Sequence, residues 1–187
     1  MSLALGTREL EVGCGGARRV RLRYGAPRGR AAPVRWAEGE FEVARFAEHV
    51  DVAASMYETF DYVTDQHKVA EWNEHVQRAE VVGGGPVGVG ARLRQHRRRG
   101  NRDFDLTFQV TAHEPPRRHT VTGQVFGVDT TMDFNVAEHG AGTRVTMTAT
   151  VTGNGLRGVL APIVAREMRK STKVALAALR QRLGAAS

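Results

Sequence analysis

Glu48 is the acidic side chain whose setting best suits acid–base chemistry. Residues 43–52, VARFAEHVDV, alternate in polarity: Phe46, Glu48, Val50 and Val52 share one strand face, and Arg45, His49 and Asp51 the other. A carboxylate on an apolar face loses hydration, which raises its pKa toward the range of a general acid or base. If the strand leaves the core at that point, the same carboxylate is simply solvated. Two more polar residues fall on faces that read as internal. Gln95 shares parity with Leu93, and Thr172 lies on the apolar side of a long C-terminal helix. Left without partners, each such group would cost about 1–3 kcal/mol. They must therefore meet one another, water or a ligand. Thr172 has a further option in the carbonyl four residues back along its helix.

The apolar residues on internal parities include Phe104, Phe108, Met132, Phe134, Met147 and Met168. A lining rich in Met and Phe suits an irregular apolar ligand, because the thioether adapts its shape. The same residues would also serve as plain core. The chain has two Trp, three Tyr and seven Phe, few large rings with which to close a wide interior. Trp72, with Phe60 beside it, would close two short helices onto the sheet and form a wall at the mouth of an internal pocket. Asn73 suits a helix cap or a ligand carbonyl. The candidate ligand-binding set is Phe60, Trp72, Gln95, Phe108, Met132, Phe134, Met147, Met168 and Thr172, with Glu48 as the candidate catalytic group.

Other chemistries lack their motifs. The chain has no His-Glu-x-x-His, Cys-x-x-Cys, Gly-x-Ser-x-Gly or P-loop pattern. The glycine run 83–90 precedes a strand, whereas a phosphate cradle needs a helix N-terminus, so it reads as a flexible loop near the pocket. The seven His are scattered and Cys14 is alone, so neither a metal site nor a disulfide is expected, and no cofactor is implied.

The elements that must position these residues are legible. Ser55 stands three residues before Glu58, the capping-box spacing, and Met56, Phe60 and Val63 follow at helical intervals. Asp65 is placed to cap a second short helix over 66–72. Alternating segments predict strands at 43–52, 75–82, 91–97, 103–113, 118–126, 128–137 and 143–152, joined by short turns into an antiparallel meander. A final helix from about 161 to 183 would be roughly 33 Å long, enough to cross the sheet. Its apolar stripe is Leu160, Val164, Met168, Ala175, Leu176, Leu179 and Leu183, with Arg166, Arg169, Lys170, Lys173 and Arg180 opposite. Pro162 falls in its first turn and Gly184 marks its stop. The fold class is α+β: a helix-grip fold, in which a seven-stranded curved sheet wraps a long C-terminal helix and two short helices follow the first strand.

The order "strand, helix, Thr64-Asp65, Glu71-Trp72-Asn73" resembles the start of the SRPBCC superfamily, which includes START-type, birch-pollen-allergen-like and polyketide cyclase/dehydrase-like domains. Gly88-Val-Gly90-Ala, Glu114-Pro-Pro-Arg117 and Gly140-Ala-Gly-Thr-Arg144-Val follow in matching order, and the resemblance covers about residues 43–184. It implies the helix-grip fold with a cavity between sheet and helix. It transfers no catalytic residue, because no motif aligns the polar pocket residues of family cyclases onto this chain.

At 187 residues the chain is long enough for one substantial core. Its net charge of +7 is uneven, since residues 1–40 hold eight Arg against four Glu. This basic Gly/Arg/Ala-rich extension reads as largely disordered, followed by a single domain over 41–187. No apolar run approaches a membrane span and no secretory leader is evident, so a cytoplasmic setting is expected.

Three functions follow as expectations. The first is binding or transfer of a small hydrophobic ligand (polyketide-, lipid- or isoprenoid-like), gated by the second short helix and the glycine loop. The second is a polyketide cyclase/dehydratase-type enzyme acting in the same cavity. The third is a macromolecular adaptor that attracts nucleic acid or anionic membrane through the cationic helix face and Arg97–Arg99. For that basic surface, a solvated face is the simpler reading.

Overall fold

The computed structural model describes residues 42–153 and 156–185, within the unit Phe41–Ser187. The expectations for residues 1–40 lie outside the described residues. Seven strands, β1 (Glu42–Val52), β2 (Val76–Val81), β3 (Arg92–Arg99), β4 (Arg102–Glu114), β5 (Arg118–Val125), β6 (Val128–His139) and β7 (Gly142–Thr152), form one antiparallel sheet. Its order is β1-β7-β6-β5-β4-β3-β2. Helices α1 (Met56–Thr64) and α2 (Val69–Trp72) lie between β1 and β2, and α3 (Leu156–Leu183) completes the chain. This is the helix-grip arrangement. Among the described residues, no helix is long and apolar enough to cross a membrane.

Strand alternation builds the inner wall. Along β7, Thr143, Val145, Met147, Ala149 and Val151 are buried and the residues between them are not. Two apolar clusters join this face to α3. One gathers Phe46, Leu106, Phe108 and Val151 around Ala161, Val164 and Ala165; the other gathers Val50, Trp72, Val145 and Met147 around Ala175, Leu176 and Leu179. Met132 packs against both clusters.

The capping box at Ser55–Glu58 is present in both directions, with Ser55 N–H donating to Glu58 Oε2 at 3.0 Å. Three local expectations are corrected. Asp65 does not cap α2. It ends α1, and its Oδ1 accepts from His67 N–H at 2.9 Å, a turn that shortens α2 to Val69–Trp72. The last helix starts at Leu156, so Pro162 is interior to it. Leu160 is 48% exposed, because at this end Ala161 and Ala165 face the sheet instead. At the other end, Gly184 takes φ +82° as expected of a helix stop, and its carbonyl accepts from Ala53 N–H at 3.0 Å, tying the helix end to β1.

Candidate functional site

A cavity of about 340 Å³ lies between the inner sheet face, α3 and the α1–α2 segment. The sheet contributes Phe108, Met132, Phe134 and Met147, and α3 contributes Met168 and Thr172. Val63, Gln66, Val69 and Trp72 cover it from the short helices. Met132, Phe134 and Met168 stay half-buried although they face inward, because the cavity keeps the opposite wall away from them. Trp72 meets Phe134 edge to face, centroids 6.4 Å apart at 79°. Tyr62 OH donates to Glu71 Oε2 at 2.8 Å and so ties α1 to α2. Burial, with that carboxylate beside it, pushes the Tyr62 phenol up to about 12.

The lining also includes a more exposed group: Arg98, Arg99, Phe126 and Lys170, with half-buried Phe104 and Glu167. Arg98 is paired with Asp103 at 2.7 Å and Arg99 with Glu167 at 3.0 Å. Phe126 and Gly127 form the β5–β6 turn with φ of 51° and 81°. A phenylalanine in the left-handed region is strained, and such strain collects at ligand clamps. Its ring is 53% exposed, 5.5 Å from Phe104 and beneath the Arg99 guanidinium at 6.0 Å.

Eight of the nine ligand-binding candidates meet on this cavity: Trp72, Gln95, Phe108, Met132, Phe134, Met147, Met168 and Thr172. Phe60 does not line it; it is 2% exposed and packs on His113, centroids 5.4 Å apart. Glu48 is also absent from the lining. Its carboxylate turns to the charged edge of α3, accepting from Arg169 Nε at 2.5 Å with Lys173 Nζ at 3.8 Å. The sequence left an apolar or a solvated setting open for Glu48; the one found is an ion pair at the edge of the sheet. Thr172 does not return to its own helix, since its hydroxyl donates to Met147 Sδ at 3.6 Å. The glycine loop 83–90 contributes no residue to the lining.

Among the lining residues that the sequence pattern did not point to are three with polar side chains turned into buried surroundings: Arg97, His119 and Gln66. Arg97 belongs to the basic surface expected to be solvated, yet it shares parity with Leu93 and Gln95 and turns inward with them. His119 lines the cavity at 4% exposure, and its Nδ1 stands 3.1 Å from Nδ1 of half-buried His113. The His residues are therefore not all scattered. Among the described residues, though, no three His, Cys, Asp or Glu gather as a metal-binding group. Burial lowers both imidazoles, and with His113 as neighbour His119 falls to about 4. Gln66 is the third; its side-chain amide donates to Thr64 O at 2.9 Å, while its Oε1 has no partner.

Known proteins share this architecture. An aromatase/cyclase from Streptomyces sp. R1128 superposes with a TM-score of 0.59 at 17% identity, over 75% of this chain and 93% of its own. A START superfamily protein from Mycobacterium smegmatis gives 0.60 at 17% identity, over 78% and 97%. Ara h 8.0201 gives 0.59 at 13% identity, over 75% and 97%. At these identities the likeness is one of fold. Among curated proteins, none matches the chain. The profile of the family described as polyketide cyclase / dehydrase and lipid transport matches residues 43–184, and the chain belongs to that family.

Proposed function

We propose that this protein binds a small hydrophobic molecule, polyketide-, lipid- or isoprenoid-like, in the cavity between the sheet and α3. The supporting observation is the cavity itself: about 340 Å³, with a mostly apolar wall in which Phe, Met and Val are prominent. That volume lies within the range of small-molecule sites. The adaptor reading has less support, because Arg98, Arg99 and Lys170 are already held by Asp103 and Glu167.

Native mass spectrometry of the purified chain tests for a co-purified ligand, and fluorescence titration with N-phenylnaphthylamine tests the cavity directly. Met168→Trp and Met132→Trp each add bulk from a different wall. Each should weaken the probe by about tenfold or more, a loss near 1.4 kcal/mol. Unchanged affinity in both folded variants would remove the cavity as the binding site.

The His113–His119 pair favours a second reading, an enzyme of the polyketide cyclase/dehydratase type. Aldol closure takes a proton from a carbon beside a carbonyl, and dehydration returns one to the departing hydroxyl. An imidazole on the cavity wall is placed for such transfers. At about 4, however, His119 is a weak base near neutrality, so binding stands first. Loss of turnover with retained probe binding in His119→Gln would favour the enzyme.

A further inference from the structure

We infer that the ligand is an amphiphile whose anionic oxygen group, such as a carboxylate, seats against Arg97; this rests on the cavity being the binding site.

Arg97 is the inward-facing member of an arginine run whose other two members are satisfied. Arg98 and Arg99 reach carboxylates, whereas Arg97 has no carboxylate within 4.0 Å among the described residues. Its side-chain partner among the described residues is neutral: Nη2 donates to Asn73 Oδ1 at 3.3 Å. Its Nε–H is buried and has no acceptor among the described residues. Glu74, another lining residue, is 62% exposed and turned toward His75 at 3.7 Å, and Glu167 is taken by Arg99 and Lys170.

A second donor lies in the same lining. Trp72 precedes Asn73, its indole Nε1–H is buried, and it too has no acceptor among the described residues. A guanidinium taken out of water without a counter-charge is costly, and each idle donor adds to that cost. Burial lowers Arg97 only to about 10, so the group remains cationic near neutrality. An anionic oxygen group accepts from Arg97 through charge-assisted hydrogen bonds, and Trp72 adds a neutral donor. The apolar body of the ligand then extends along Phe108, Met132 and Met147. Gln66 Oε1, an acceptor, does not compete for the anion.

The test is displacement of N-phenylnaphthylamine by decanoate and by decanol, which share a chain length and differ in the head group. In the wild-type chain decanoate should displace the probe at concentrations about tenfold or more below decanol. Arg97→Met and Arg97→Gln should erase that preference while still binding the uncharged probe, which reports an intact cavity. Arg94→Gln, on the outer face of the same strand, should keep it. If the wild-type chain does not bind the probe, the cavity reading fails and this inference with it. If the probe binds but decanoate holds no advantage, or keeps it in both Arg97 variants, the anionic head group alone is overturned.

Discussion

His113 and His119 face one another across the β4–β5 ladder with Nδ1 atoms 3.1 Å apart, so one imidazole donates and the other accepts. The contact exists because β4 carries an irregularity between Val110 and Ala112. Simple alternation from Phe108 and Val110 would turn Ala112 inward and His113 outward. One extra residue reverses that parity and brings His113 against Phe60 and His119.

The pair sets a pH dependence. In the unfolded chain an imidazole titrates at 6.5, whereas in the fold His119 is lowered to about 4, and His113 is lowered too. The unfolded chain therefore binds more protons between those values. Stability from this site is whole above pH 6.5 and is lost as pH falls toward 4. For His119 the loss is roughly 3 kcal/mol. Urea unfolding across this window should show the decline, and His119→Gln should flatten it. An equally steep decline in the variant would show that other groups cause it. Asp51 and Asp103, held low by hydrogen bonds from Arg144 and Arg98, lose their contributions only as pH falls below the ordinary 3.8.

Phe108 and Gly123 are cross-strand partners, and the ring lies over the missing side chain. A Cβ at 123 would stand 2.5 Å from Thr107 O and 2.7 Å from Phe108 Cδ1. The first of these is backbone and cannot swing away. Gly123→Ala should destabilise the chain by about 1–3 kcal/mol. Chemical denaturation measures this, and a neutral result would mean that β4 and β5 separate more easily than their pairing suggests.

Glu48 pins α3 to β1 through Arg169 and Lys173. The cations are 55% and 59% exposed, so solvent screens the pair and its worth is about 1 kcal/mol or less. Glu48→Gln should lower stability by that amount and leave affinity for N-phenylnaphthylamine unchanged. A large loss of probe binding or of turnover would return Glu48 to the ligand site.

Much of the fold and part of the site are written in local patterns. Strand periodicity, the Ser55–Glu58 capping box and the α3 stripe each arise from interactions a few residues apart, so composition and spacing determine them. The same parity argument places Phe108, Met132, Phe134 and Met147 on the inner face, and would have placed Arg97 there too. Arg97 was read as exposed only because it sits in a run of cations near a turn. Local pattern could not say whether the inner face closes into solid core or leaves about 340 Å³ open, since that depends on how far α3 stands from the sheet. Nor could it give Glu48 its cationic partners, Arg169 and Lys173, more than a hundred residues away in the chain. The inward turn of His113 depends on a single residue of register between two paired strands. Such contacts join segments distant in sequence or add an unpaired residue to a ladder, and only the assembled sheet and helix decide them.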